Sequence, residues 1–385
     1  MTWYRPMAAR RTDEEHRVAT PLELLFDLCF VVAVASAAAK LHHSLAEDHV
    51  GHGLLGYLSV FFAIWWAWLQ FTWFASAYDT DDVPYRITTL VQIAGVLVVA
   101  AGVPRAFDSA DFRVITAGYV VMRLAMVAQW LRAARSDPAH RACAHRYALG
   151  ITLVQLGWLA RLWLPDNLFL AGFLVLVVAE LAVPWWAERA GTTSWHPHHI
   201  AERYGLFTLI VLGESILAAT NAIRSGLDAG HAGSLIGLAV AGLVIVFSVW
   251  WLYFDHPAQD LLTAQRFALA WGYGHFFVFA SVAALGAGLE VAVDHELHEA
   301  PVSAVGAGLA TTVPVAVFLL VVWWLQVRPA RRDQAHYAFP AAALLVLLGS
   351  FAPAPVPVTA VVLAALVAVV LTYRRAGTHS VGDEV

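Results

Sequence analysis

Charge is the scarcest property of this 385-residue chain, and its scarcity excludes a soluble globular protein. Only 13% of the residues are Asp, Glu, Lys or Arg, whereas 60% are hydrophobic, and the mean hydropathy is +0.66. Soluble domains carry about 25% charged residues. The composition therefore predicts an integral membrane protein. The 16 tryptophans fit that class, because Trp favours the membrane–water interface.

Cysteine is also scarce, and several common motifs are absent. Cys29 and Cys143 fall in different segments, which predicts two free thiols and no disulfide. Residues 1–20 are polar and lead directly into a full apolar span, so we expect no cleavable signal peptide. The sequence has no P-loop, dinucleotide-binding glycine fingerprint or nucleophile elbow. We expect no nucleic-acid partner.

Long apolar runs are abundant. A membrane-spanning helix needs roughly 20 mostly apolar residues, and twelve segments of the chain come close to that description. We therefore predict an all-α polytopic membrane protein with about twelve transmembrane helices. The candidate spans are 21–43, 53–77, 87–104, 112–134, 144–164, 167–187, 200–223, 232–254, 266–290, 302–327, 336–352 and 356–373.

The distribution of basic residues predicts the orientation of these spans. If the N-terminus is cytoplasmic, 17 of the 23 Lys and Arg residues fall in cytoplasmic segments, five in outer segments and one, Arg123, within a span. Cytoplasmic segments of membrane proteins are enriched in Lys and Arg. We therefore predict that both termini face the cytoplasm.

Two parts of the chain have similar short sequence patterns. WWAW at 65–68 precedes the acidic turn DTDD at 79–82, and WWLY at 250–253 precedes Asp255 and Asp260. The similar patterns lie six predicted spans apart, which indicates a 6+6 parallel internal repeat. The alternative is chance similarity between Trp-rich helices. The predicted division is a cytoplasmic segment 1–20, six-helix halves 21–187 and 188–373, and a cytoplasmic tail 374–385.

One carboxyl group lies deep in the apolar segment ERYGLFTLIVLGESILAAT at 202–220. Glu214 follows Tyr204 by about 15 Å of helix rise, which is half of a roughly 30 Å hydrocarbon core. A charge at that depth costs about 3 kcal/mol. We expect Glu214 to be protonated, or paired with Arg123, His275 or an inward-reaching arginine, and to mark a proton or ion pathway.

Other charges cluster at the predicted cytoplasmic ends of six helices. Glu23 and Asp27 are four residues apart and share a helix face. We predict a cytoplasm-facing charged cavity that ends at Glu214. The alternative is that these charges pair across helices and only fix their packing. The candidate cavity residues are Glu23, Asp27, Asp79, Asp82, Arg86, Glu202, Arg203, Glu214, Asp255, Arg266 and His275.

Three histidine-containing clusters raise the question of a metal site. They are HPHH at 196–199, a group between His42 and His52, and a group between Asp294 and Glu299. None follows a recognised zinc-binding spacing. We therefore expect solvated loop residues, assign no metal site and predict no particular cofactor.

Four stretches carry a resemblance to a known family: PLELLFDLCFVVAVA, FTWFASAYDTDDVPYR, HIAERYGLFTLIVLGESILA and WWLYFDH. Over most of residues 15–330 the chain resembles the bacterial low temperature requirement protein A (LtrA) family. The resemblance implies a multi-pass protein of the bacterial inner (plasma) membrane that is linked to growth in the cold. The family pattern falls on Glu23, Phe26, Asp27, Asp79, Asp82, Arg86, Glu202, Arg203, Gly205, Gly213, Glu214, Ser215 and His275.

Three functions are consistent with these patterns. The leading hypothesis is a proton- or cation-coupled transporter or permeation protein, whose partners are the lipid bilayer and a small ion or small-molecule substrate. The second is a membrane-embedded enzyme or binding protein for a lipid or isoprenoid phosphate, with Mg²⁺ held by DTDD. The third is a membrane scaffold with structural ion pairs. We favour a non-enzymatic role, and a homo-oligomer is compatible with each function.

Overall fold

A computed structural model describes residues 3–10, 18–228, 232–262, 265–330 and 334–382, and the regular structure of these residues is helical, without a β-strand. The predicted all-α class is confirmed for them. The helices are α1 (Pro21–Ala46), α2 (Val50–Tyr78), α3 (Val83–Ser109), α4 (Arg113–Ser136), α5 (Arg141–Arg161), α6 (Asp166–Glu188), α7 (Pro197–Asp228), α8 (Ala232–Phe254), α9 (Gln265–Glu296), α10 (Ala304–Val322), α11 (Ala338–Gly349) and α12 (Pro355–Gly382). A π-helical turn, Trp323–Val327, and the short helix Arg328–Ala330 continue α10.

Nine helices within the described ranges are long and apolar enough to cross a membrane. They are α1 to α4, α6, α8 to α10 and α12. Of the other three, α11 has only 12 residues. The predicted multi-pass class is therefore supported, whereas the count of twelve spans, the internal repeat and the orientation of the termini stay predictions. Both cysteines are free, as expected.

Some arginines used in the orientation argument fall beyond what the structure describes. Arg11, Arg17, Arg331 and Arg332 lie outside the described residues. The side chains of Arg266, Arg374 and Arg375 also lie outside them.

The acidic run DTDD forms the turn between α2 and α3. Asp81 adopts a left-handed backbone with a φ of 47°, a region that Asp tolerates better than most residues. Asp82 is the N-cap of α3, and its carboxylate accepts a hydrogen bond from the Tyr85 amide at 3.0 Å. Pro84 lies in the first turn, where the missing amide costs no helical hydrogen bond. The last acid of this run therefore starts a helix.

The chain packs as two compact units. The first unit comprises Met1–Ser36 and Phe62–Arg203, and the second comprises Ala37–Phe61 and Tyr204–Val385. The boundaries fall inside α1, α2 and α7, so each of these helices contributes residues to both units.

Glycines let helices of the first unit approach closely. A Cβ on Gly118 of α4 would lie 2.6 Å from the carbonyl oxygen of Gly95 in α3, and a Cβ on Gly102 would lie 2.8 Å from the Ile115 amide nitrogen. Small residues of this kind allow transmembrane helices to pack with their backbones in contact. The interior of the unit is aromatic along α2, where Trp66 and other rings are wholly buried.

Glycines also allow close helix packing in the second unit, around α9. A Cβ on Gly286 would lie 2.9 Å from the Cα of Ser215 in α7, and Gly288 lies directly against the Ala310 carbonyl of α10. The Ser215 hydroxyl donates a hydrogen bond to the Val282 carbonyl at 2.9 Å. These contacts hold α7 beside α9, and Glu214 and Glu290 lie on these two helices.

Candidate functional site

A buried guanidinium joins two helices of the first unit. Arg203 donates from Nη1 to Glu23 Oε1 at 2.9 Å, from Nε to Asp27 Oδ2 at 3.0 Å and from Nη2 to Asp27 Oδ1 at 2.6 Å. All three side chains are 0% exposed. Because residues four apart share a helix face, both carboxylates of α1 reach the same arginine of α7.

Further donors surround this group. The Trp68 indole donates to Asp27 Oδ1 at 2.7 Å, and the Thr20 amide donates to Glu23 Oε2 at 2.8 Å. His199 Nε2 lies 3.0 Å from Glu23 Oε1. The expectation that HPHH is a solvated loop is wrong for His199, which is wholly buried, because its segment forms the first turn of α7 beside a buried carboxylate.

A second buried ion pair lies elsewhere in the first unit. Arg123 of α4 donates to Glu180 Oε1 of α6 at 3.0 Å, and it also contacts Gln70. The indoles of Trp66 and Trp158 donate to the two Glu180 oxygens at 2.8 and 3.0 Å. Arg123 therefore has Glu180 as its carboxylate partner, whereas the sequence suggested Glu214 as a possible partner.

Asp82 has a partner that the sequence did not suggest. Arg132 of α4 donates from Nη1 to Asp82 Oδ1 at 2.9 Å, and the Arg5 amide donates to Oδ2 at 2.8 Å. Burial of this carboxylate opposes its ionisation. The hydrogen bonds from Arg132 and from the backbone amides outweigh that effect and lower the pKa of Asp82.

The remaining candidates of the first unit have separate contacts. Arg86 forms a bidentate pair with Asp81, at 2.7 and 2.8 Å, on an exposed part of the turn. Asp79 Oδ2 lies 3.4 Å from Arg10 Nη1. Glu202 accepts a hydrogen bond from the Ala19 amide at 3.2 Å. These charges, at the predicted cytoplasmic ends of the helices, are thus distributed over several separate pairs.

Acidic side chains meet a histidine in the second unit. His42 Nε2 of α1 lies 2.6 Å from Asp294 Oδ2 of α9, and His42 Nδ1 lies 3.5 Å from Glu290 Oε2. The side chains of His42, Glu290 and Asp294 are 25%, 18% and 24% exposed. Glu290 also lies within electrostatic range of Glu214, which is partly buried. We call these four residues the acidic relay group.

His275 is part of a packed core. Its Nδ1 contacts the Trp271 carbonyl at 2.8 Å and its Nε2 contacts the Tyr253 hydroxyl at 3.1 Å. A carbonyl only accepts, so Nδ1 carries the proton and Nε2 accepts from Tyr253. The ring also packs edge-on against Tyr204. His275 therefore has partners on both nitrogens within its own unit.

Asp255 and Arg266 are the last two candidates. Asp255 is buried, and its Oδ2 lies 3.5 Å from Nε2 of His256. Arg266 lies in the first turn of α9.

The sequence profile of bacterial low temperature requirement A protein (LtrA) matches residues 18–373, which is most of the chain. The chain belongs to the LtrA family. A curated relative of this LtrA protein is "Uncharacterized protein RA0937" of Rhizobium meliloti (strain 1021). It is 26% identical over 305 residues, which cover 74% of this chain and 72% of the relative.

The acidic relay group contains residues that sequence analysis of this LtrA protein left out of the candidate cavity. His42 and Asp294 were expected in solvated loops, but α1 continues to Ala46 and α9 to Glu296, so both residues are helical. Glu290 and Asp294 are four residues apart and share a helix face. That spacing was the available signal. The contact with His42 could not be read from it, because the two helices are more than 200 residues apart in the chain.

The acidic relay group has more carboxyl groups than basic side chains. Glu290 and Asp294 flank the His42 imidazole, and Glu214 lies within electrostatic range of Glu290. Like charges that lie close together oppose simultaneous ionisation. Uptake of protons or of a cation would relieve that repulsion. Within the described parts of the chain, no group of three or more His, Cys, Asp or Glu side chains is arranged to hold a metal ion.

Proposed function

We propose that this LtrA protein moves protons or small cations across the bacterial inner membrane, with Glu214 as the central carboxyl group. The observation that carries the proposal is the acidic relay group. The charged neighbours of Glu290 are His42, Asp294 and Glu214, so one imidazole accompanies three carboxyl groups. Ionisable residues in membrane segments mark proton and ion pathways.

The proposed path runs along these residues toward the predicted outer end of α9. A proton or cation on Glu214 would pass to Glu290 and then to His42 and Asp294, which lie 2.6 Å apart. The imidazole has two nitrogens, each near a different carboxylate, and it can accept a proton on one while releasing a proton from the other. This arrangement suits a relay better than it suits a static ion pair.

The inner part of the proposed path is the predicted cytoplasm-facing cavity. In this proposal, the acids at the cytoplasmic ends of the helices attract cations toward Glu214. The fully buried Arg203 group would fix α7 against α1 and so hold Glu214 at its depth. The cytoplasmic location of both termini also belongs to the proposal.

The test is flux through the full chain reconstituted in liposomes that enclose a pH-sensitive dye. A potassium diffusion potential would drive protons, and sodium or potassium gradients would test cations in the same vesicles. Glu214→Gln keeps the size of the side chain but cannot ionise, and we expect it to reduce the flux by about 100-fold. The dye signal measures the initial rate.

The matched control is Glu47→Gln, because Glu47 is 47% exposed and lies in the turn after α1. This variant should retain the parent rate. The proposal fails if Glu214→Gln conducts as well as the parent protein, or if the parent is no more permeable to protons, sodium and potassium than protein-free vesicles.

A membrane scaffold is the second candidate, and the first unit favours it. Arg203 and Arg123 are each buried against carboxylates that accept additional indole hydrogen bonds. Groups satisfied in this way hold helices together without any transported ion. A parent protein that carries no flux, but whose loss disrupts assembly of other membrane proteins, would support the scaffold.

A further inference from the structure

A cavity of about 500 Å³ lies in the second unit, where α9 begins and α10 ends. The 3-10 turn Ala258–Leu261 forms a third wall. The lining combines opposite charges with apolar rings: Asp260, Phe267, Trp271, Trp324, Leu325 and Arg328. The volume falls within the range of small-molecule pockets. None of these residues belongs to the acidic relay group.

The guanidinium of Arg328 lies beside aromatic rings at this cavity. The guanidinium of Arg328 lies 4.7 Å from the ring centre of Trp324 and 5.9 Å from that of Trp323. Phe267 is 52% exposed and Trp324 is 59% exposed. Exposed aromatic rings beside an arginine at a helix end are typical of the headgroup level of a membrane.

A π-helical turn sets the direction of this arginine. The Arg328 amide donates to the Trp323 carbonyl, five residues earlier, across the turn Trp323–Val327. The additional residue rotates the following side chains by about 100° relative to an uninterrupted α-helix. Turns of this kind are frequent at functional sites. Here the turn places both Trp324 and Arg328 in the lining of the cavity.

A buried donor lacks an acceptor at the same cavity. Trp271 is 4% exposed, and its Nε1–H has no hydrogen-bond partner among the described residues. Buried indole N–H groups normally find an acceptor. A ligand oxygen would supply one.

We propose that this cavity binds the headgroup of an aminophospholipid, with its phosphate at Arg328 and its ammonium group at Asp260. A guanidinium forms strong charge-assisted hydrogen bonds with phosphate, and Trp271 supplies a further donor. Asp260 and the ring faces suit a primary ammonium group. The exposed apolar surfaces of Phe267 and Leu325 would contact the first part of the acyl chains.

The charge pattern selects one lipid class over others. Phosphatidylglycerol lacks a cation, so it would leave Asp260 facing only negative charge. Phosphatidylcholine has a quaternary ammonium group that cannot donate a hydrogen bond to a carboxylate. Phosphatidylethanolamine satisfies both Arg328 and Asp260. The inference is independent of ion flux, because it rests on different residues.

Native mass spectrometry of the full chain in detergent would test this, with phosphatidylethanolamine, phosphatidylglycerol and phosphatidylcholine of identical acyl chains. We expect the parent to retain phosphatidylethanolamine about tenfold more tightly than the other two lipids. Asp260→Asn should remove that preference. Arg328→Gln should weaken binding of all three lipids, and Trp271→Phe should weaken it without changing their order.

Arg135→Gln is the matched control, because Arg135 is an exposed arginine in the last turn of α4, another helix predicted to end at the cytoplasm. This variant should bind the three lipids as the parent does. Equal retention of all three lipids by the parent would overturn the proposal. An unchanged preference in Asp260→Asn would also overturn it, as would equal losses in Arg328→Gln and Arg135→Gln.

Discussion

The first unit pairs buried carboxylates with arginines, whereas the second unit places partly exposed carboxyl groups beside a histidine. In the first, Arg203 donates hydrogen bonds to Glu23 and Asp27, and Arg123 donates to Glu180. Indole N–H groups donate further hydrogen bonds to Asp27 and Glu180. In the second, His42 of the acidic relay group lies beside Glu290 and Asp294, and Glu214 lies within electrostatic range of Glu290. The two arrangements therefore differ in the basic side chain that accompanies the carboxyl groups.

In the proposed function, that difference separates structural charges from charges available for exchange. A buried carboxylate held by a guanidinium and an indole has its negative charge and its lone pairs satisfied, and removing one partner leaves an uncompensated charge. Carboxyl groups without an arginine lower their energy by taking up protons or cations. The comparison therefore predicts opposite responses to the same kind of substitution in the two units.

The largest expected effect concerns Arg203. Arg203→Met keeps an apolar chain of similar length but leaves Glu23 and Asp27 buried without their guanidinium. We expect it to lower the free energy of unfolding by about 3–5 kcal/mol, measured by denaturation of the purified protein in detergent. The physical cause is the desolvation of two carboxylates without compensation.

The control for Arg203 is Arg86→Gln, which removes an exposed arginine that is paired with Asp81. Exposed pairs contribute about 0–1 kcal/mol, so this variant should unfold close to the parent. Parent-like unfolding of Arg203→Met would show that the buried network contributes little to stability.

The comparison is tested most directly by the same substitution in each unit. Glu180→Gln leaves Arg123 without a counter-charge and should lower the free energy of unfolding by about 3 kcal/mol. Glu290→Gln removes a surplus negative charge and should leave that free energy unchanged within about 0.5 kcal/mol, or raise it. Denaturation of both variants under one condition measures the contrast.

Two results would contradict the contrast in its present form. One is a Glu290→Gln variant that is destabilised as strongly as Glu180→Gln, which would mean that Glu290 is a structural ion-pair member. The other is a stable Glu290→Gln variant with the full proton flux of the parent, which would remove Glu290 from the proposed path.

The smallest expected loss of stability concerns Asp82, whose pKa is lowered in the folded protein. Because the folded pKa lies below the unfolded value of about 3.9, ionised Asp82 stabilises the fold fully above that pH. The contribution is lost as the pH falls through the lowered pKa. Asp82→Asn should therefore be less stable than the parent by roughly 1 kcal/mol at neutral pH, and the gap should close in strong acid.

The partner of Asp82 provides the control. Asp82→Asn in an Arg132→Gln background should cost less than in the parent, because the ion pair is already absent. A stability gap between Asp82→Asn and the parent that widens on acidification has the wrong sign for a carboxylate stabilised in its ionised form, and it would refute the assignment.

Several parts of this protein could be predicted from residues alone because they depend on local physics. Scarce charge and long apolar runs predict helical membrane segments, since backbone polar groups in lipid must be paired within the segment. The PLELLFD and ERYGLF stretches also predict that Glu23, Asp27 and Arg203 belong to the family pattern. The i,i+4 spacing of Glu23 and Asp27 was enough to place both acids on one face.

The partner of each charged side chain could not be predicted from local sequence in the same way. Asp82 pairs with Arg132, 50 positions away, and His42 meets Asp294 across 252 positions. Nothing in local composition distinguishes Arg132 from the other arginines at helix ends. The helix lengths also mattered, because α9 extends several residues beyond its predicted span, 266–290, and carries Asp294 with it.

The sequence by itself determined the class of this protein: a helical membrane chain of the LtrA family with one carboxyl group deep in its seventh apolar segment. Only the tertiary structure decided which acids have an arginine and which share a histidine. The reason is physical. The hydropathy of a segment depends only on residues that are neighbours in the chain. The partners that stabilise a charged side chain are groups that helix packing brings within a few ångströms of it.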